Sequence, residues 1–150
     1  TADCKHFLTM FERLFPEIIE WQERLKEQVI KNRVLYNLFG YPREFTGRWN
    51  MELEREALSY IPQSTVGVLT SLVFTDLERL SRTDLGLDVL VNVHDAVVGQ
   101  HYESEVERIC HYTMDLVKRP LTSPSGEVFH MKSEAMVGKT WKKKDMREVK

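Results

Sequence analysis

Cysteine is almost missing from this chain, which holds two, Cys4 and Cys110, among 150 residues. They fit no metal-ligand spacing, and a reducing cytoplasmic compartment is the simplest setting for them. Glycine (7) and proline (5) are sparse. No low-complexity tract and no internal repeat is visible, and no segment resembles a signal peptide or a membrane span. The net charge is only −2, so the chain carries no global nucleic-acid signature and any such binding has to come from local patches. What is abundant is apolar content, 42%, enough for a real core in a chain of ordinary single-domain size.

Periodicity divides the chain into helical and extended parts. Phe7, Phe11, Leu14, Ile18, Trp21 and Leu25 recur at three- and four-residue steps, predicting one apolar helical face, and Pro16 should break that stretch into two helices. Helical reading continues to Gly40. Residues 41–49 mix Pro, Gly and Thr and read as a loop or short hairpin. Residues 51–80 form a long helical stretch, kinked near Pro62, with Val66, Leu69, Leu72, Val73, Leu77 and Leu80 as its buried side. A turn over 81–86 follows. Residues 103–117 return to helical spacing through Val106, Ile109, Cys110 and Leu116, and the alternation of Val128, His130 and Lys132 suggests an edge strand. The predicted class is α+β, with helices packed on an antiparallel sheet.

The segment 87–100, LDVLVNVHDAVVGQ, is the most pointed part of the chain. Val89, Val91 and Val93 alternate with Asp88, Leu90 and Asn92, and an apolar run resumes at Ala96. A bare His94-Asp95 pair lies between. A two-residue hairpin connection needs positive φ, and His and Asp are among the few non-glycine residues enriched there. A charged Asp between valine-rich strands is either solvated at an exposed tip or holding a cation, because unpartnered burial would cost several kcal/mol or force protonation.

Two further groups stand out. Arg55, Ser59 and Gln63 fall at i, i+4 and i+8, one stripe of a helix. Arg55 also lies among Glu52, Glu54 and Glu56, where it would serve equally as part of a solvated ion-pairing face. From residue 139 to 150 six basic residues (Lys139, Lys142, Lys143, Lys144, Arg147, Lys150) face two acidic ones, Asp145 and Glu148. Such a run is either a solvated terminus or a phosphate contact, with Trp141 anchoring the tail to the body.

In order and spacing these segments resemble the family A DNA polymerases, the group of bacterial DNA polymerase I and many bacteriophage replicases. His94-Asp95 after an alternating strand resembles their motif C, usually His-Asp-Glu; here Ala96 takes the third place. Residues 54–65, EREALSYIPQST, are similar to the family segment whose Arg, Asn and Gln line the minor groove beside the primer terminus, with Ser59 in the Asn position. Residues 7–40 look like the helix pair following the nucleotide-binding helix, and residues 134–141, EAMVGKTW, are similar to the Gly-x-x-Trp ending of many phage members.

The resemblance implies an incomplete fingers and palm, with 1–46 as C-terminal fingers helices and 47–150 as a palm portion bearing the His-Asp hairpin. It implies Asp95 as a catalytic ligand of Mg2+ and His94 close to the primer terminus. Arg55, Ser59 and Gln63, with Lys142, Lys143 and Lys144, would contact primer-template DNA, and a dNTP would be the second substrate. The second carboxylate and the triphosphate-gripping helix of the family are not in this sequence. The chain, which starts at Thr1 as a processed piece, a cut fragment or an engineered segment would, is therefore expected to be inactive alone. It would work with an N-terminal polymerase region in cis or as a companion subunit, docked through Phe7, Phe11 and Trp21. No membrane role is expected, and the location would be a cytoplasm, that of a bacterial host if the gene is phage-borne. Two other readings stay open: a non-catalytic DNA-binding or assembly module with a palm shape, and an HD-type metal phosphohydrolase. The second would need its dyad on a helix with further histidines on the same metals, whereas His6, His101, His111 and His130 are scattered.

Overall fold

Pro16 ends one helix and begins the next, since its fixed φ and missing N–H suit a first helical position. In the computed structural model, which describes residues 2–83 and 86–149, α1 is Ala2–Leu14 and α2 is Pro16–Asn32. The apolar series predicted to share one helical face is buried only at its far end. Leu25 and Val29 are buried and Trp21 half-buried, whereas Phe7, Leu14 and Ile18 are exposed. Periodicity marks an amphipathic face but cannot say whether the chain itself covers it.

Arg33 caps α2 in the left-handed conformation, φ 60°, its N–H donating to the Val29 carbonyl at 3.0 Å. The chain then turns extended, where the sequence predicted helix as far as Gly40. β1 (Val34–Tyr36) pairs antiparallel with β2 (Pro42–Glu44). Asn37 builds the connection, its Oδ1 accepting from the N–H groups of Phe39 and Tyr41, both at 3.0 Å, with Gly40 at φ +80°. Val29, Leu35, Phe45 and Ala57 form the core here. Tyr60 meets Phe45 edge-on at 6.1 Å and donates its hydroxyl to the Tyr41 carbonyl at 2.7 Å.

α3 (Met51–Ser81) runs unbroken through Pro62. Its residues divide between two compact units, 1–64 and 65–150, so the packing boundary falls inside this helix. In the second unit Leu69, Val73 and Leu77 are buried at four-residue steps, but Leu72, predicted to join them, is 37% exposed. α3 is long and apolar enough to cross a membrane by length and composition. Within the second unit Val73 and Leu77 pack with Leu87 of the following strand and Ile109 of α4 (Val106–Val117). The predicted face of α4 is buried through Val106, Ile109 and Cys110, with Leu116 packed beside it. Burial pushes the Cys110 thiol pKa up, partly offset by the charge of Arg147. An ion pair between Arg119 and Asp76 ties the end of α4 to α3.

The class is α+β, yet the strands among the described residues form four separate two-stranded antiparallel ladders, not one sheet. After β3 (Leu87–Val93) and β4 (Ala96–His101) come β5 (Leu121–Thr122) with β6 (Val128–Phe129), then β7 (Ala135–Gly138) with β8 (Met146–Val149). The predicted edge strand stops at Phe129, and His130 instead sets its Nδ1 against the Lys118 carbonyl at 2.8 Å. The 81–86 turn lies partly outside the described residues.

Candidate functional site

β3 (Leu87–Val93) and β4 (Ala96–His101) pair antiparallel with Val93 opposite Ala96, leaving His94 and Asp95 as the connection. His94 takes the left-handed backbone, φ 55°. For a residue with a Cβ this costs roughly 1–2 kcal/mol, so the turn is held against its own preference by the ladder on either side. Both side chains are exposed.

The ladder slips between Val89 and Val91, so Leu90 is a bulge. One extra residue exchanges the faces of everything after it. Leu87 is buried and Val89 half-buried before the slip, but Val91 is exposed and Asn92 turns inward, so the three valines do not share one face as their spacing predicted. The Asn92 amide donates to Ser71 Oγ of α3 at 3.5 Å, while its Oδ1 is buried with no hydrogen bond among the described residues. Gly99 keeps this close approach easy, since a Cβ there would sit 3.0 Å from the Asp88 carbonyl and the neighbouring strand would have to give by a few tenths of an ångström.

Asp95 borders an apolar groove of about 530 Å³ walled by Leu69 and Val73 of α3, Val97 of β4 and Ile109 of α4. Its carboxylate suits one corner of a magnesium shell, a hard cation taking oxygen ligands and keeping several waters. No group of three or more His, Cys, Asp or Glu able to hold a metal occurs among the described residues. No complete metal-ligand set therefore gathers at Asp95 among the described residues. The other histidines that the structure describes with partners are turned to backbone: His101 Nδ1 to the Tyr102 carbonyl at 3.0 Å and His111 Nδ1 to the Glu107 carbonyl at 2.7 Å.

In the first unit Arg55, Ser59 and Gln63 lie along α3, with Arg55 and Gln63 exposed and Ser59 half-buried. The carboxylates beside Arg55 are engaged elsewhere. Glu54 pairs with Lys26 at 2.8 Å, and the Lys26 hydrogen bonds to Glu23 and then to Glu54 raise its pKa. Glu56 pairs with Arg43 at 2.5 Å. Arg55 makes no ion pair or hydrogen bond among the described residues and lines a shallow depression with Met51, Glu52, Glu56 and Ser59. The Ser59 hydroxyl donates to the Glu56 carbonyl at 3.2 Å.

The basic tail is not a loose terminus. It folds as the β7–β8 hairpin, whose tip holds a short 3-10 turn, Lys143–Asp145, and exposes Lys142, Lys143 and Lys144. Trp141, predicted to anchor the tail to the body, is 66% exposed. Val149 is the anchor, buried against Val106 and Cys110. Asp95 and the three lysines share no hydrogen bond, ion pair or groove among the described residues.

Sequence reading missed β7, β8, the bulge and the exposed tryptophan. The alternation of Ala135 and Val137, half-buried against α4, was a usable signal for β7; the bulge left none. Compared with known proteins, the chain matches no family model and no curated sequence.

Proposed function

We propose that this chain is the C-terminal part of a family A-type DNA polymerase, contributing to template-directed DNA synthesis together with an N-terminal region supplied in cis or as a companion subunit. The observation carrying this reading is the His94–Asp95 connection, which holds an exposed carboxylate at the end of a bulged two-stranded ladder. In the reaction a primer 3′-hydroxyl attacks the α-phosphorus of a dNTP, and pyrophosphate leaves. Bound magnesium would stabilise charge on the attacking and leaving oxygens. Asp95 would offer one carboxylate toward the cation, and His94 would stand by the primer terminus. Arg55 and Gln63 would donate to the N3 and O2 acceptors that every base pair presents in the minor groove, testing pair geometry without reading sequence. Ser59, already turned to its own helix backbone, would act through its shorter reach or through water.

Asp95→Asn tests the reading. The variant should fold, since Asn suits a turn, and should abolish magnesium-dependent incorporation in the reconstituted enzyme. Incorporation near the wild-type rate by that variant would refute the assignment. A second reading, a non-catalytic DNA-binding or assembly fragment, draws on the absence of a ligand cluster around Asp95 among the described residues. Duplex binding retained by a reconstituted mixture that never extends a primer would favour it.

A further inference from the structure

The β7–β8 tip leaves a large aromatic side chain in solvent among cations. Trp141 is 66% exposed, and Lys139, Lys142, Lys143 and Lys144 surround it in sequence, all exposed. The tip is nevertheless tightly built. Thr140 Oγ1 donates to Asp145 Oδ2 at 2.7 Å, which occupies the tip's one carboxylate, and the Asp145 N–H donates to the Lys142 carbonyl at 2.8 Å. Gly138 lets the strands close, because a Cβ there would lie 2.5 Å from the Asp145 carbonyl. Val149 roots the hairpin in the core. A Trp exposed on a hydrogen-bonded, cationic tip is presented outward and not packed by the fold.

We infer that this tip binds single-stranded nucleic acid, with Trp141 stacking on an unpaired base and Lys142, Lys143 and Lys144 meeting the neighbouring phosphates. A single strand alternates flat apolar faces with negative charges at the spacing of one nucleotide, and aromatic platforms beside cationic side chains are the matching surface. A duplex hides its base faces and would engage the lysines alone. A bilayer demands a broader apolar area than one ring flanked by lysines and Thr140. The inference goes beyond the polymerase reading and does not need nucleotidyl transfer by this chain.

The test is titration of the full chain with a dye-labelled short oligothymidylate, its abasic counterpart of equal length, and a duplex, affinity being read from dye anisotropy and stacking from tryptophan quenching. Stacking predicts quenching that disappears in Trp141→Ala, with affinity falling roughly 5- to 150-fold, and partial recovery in Trp141→Phe. The abasic strand should bind wild type no better than oligothymidylate binds Trp141→Ala. Replacing Lys142, Lys143 and Lys144 with Ala should reduce the slope of log affinity against log salt by about 2, at roughly 0.7 per phosphate on a single strand. Since these side chains are exposed, thermal melts of the variants should match wild type. Equal affinity for the abasic strand, preference for duplex, or binding to anionic vesicles that oligothymidylate does not compete would overturn it. Primer extension separates the two readings: quenching intact in a reconstituted mixture that never extends sinks the polymerase reading alone, and extension without Trp141-dependent quenching sinks this one alone.

Discussion

At His94 one residue carries the strain of the whole connection. Its φ of 55° is the conformation glycine takes freely and a Cβ resists, whereas Asp95 beside it keeps negative φ. His94→Gly should therefore stabilise the chain by about 0.5–1 kcal/mol, the relief being reduced by the extra freedom of glycine in the unfolded state. If His94 stands by the primer terminus, the same change should slow extension by the reconstituted enzyme. Urea denaturation and primer extension on one preparation check both halves, and a destabilised His94→Gly would mean the side chain has a structural role. Gly86 shows the opposite case: at φ +63° its backbone favours glycine, and a Cβ there would also have to displace the exposed Tyr102 ring, 2.3 Å away. That a two-residue connection needs a left-handed residue is legible from spacing. Which residue accepts it is decided by the ladder on each side.

At the scale of elements, α3 shows how neighbours decide a side chain's availability. The sequence offers Arg55 three nearby carboxylates, Glu52, Glu54 and Glu56, and an ion-pairing face is a fair expectation from it. Lys26 and Arg43, on other elements of the first unit, claim Glu54 and Glu56. Arg55 is left exposed, able to donate outward. Charge-assisted hydrogen bonds are worth about 1.5–3 kcal/mol, so Arg55→Ala should slow single-turnover extension by roughly 10- to 150-fold. The loss should be similar for all four template bases. A base-selective loss, or none, would assign Arg55 to the solvated surface. The same dependence on neighbours governs the tail. Removing residues 142–150 would take away β8 and buried Val149, so its charge is better tested by point substitutions than by truncation.

At the scale of the molecule, the two compact units each own a core, one around Val29, Leu35, Phe45 and Ala57, the other around Val73, Leu77, Leu87 and Ile109. No group of three or more His, Cys, Asp or Glu able to hold a metal surrounds Asp95 among the described residues. One or two carboxylates hold magnesium weakly, since the ion keeps most of its waters until substrate phosphates join. This chain by itself should therefore show no primer extension. Addition of a purified companion polymerase region should restore it, with the exposed apolar side of α1, including Phe7, as the expected docking face. Robust synthesis by this chain alone would refute the proposal.

Local structure follows from neighbouring residues in the chain. Pro16 set the junction of α1 and α2, four-residue spacing marked Leu69, Val73 and Leu77, and the face of α4 could be read from Val106, Ile109 and Cys110, because dihedral restrictions and helical period act within a few residues. Tertiary structure decided what depends on distant partners. The bulge at Leu90 moved Val91 out and Asn92 in, rival cations took the carboxylates beside Arg55, the strands resolved into separate ladders, and Val149 displaced Trp141 as the anchor of the tail. Each of these is a competition between contacts far apart in the chain, and composition and period carry no record of which competitor is nearer in space.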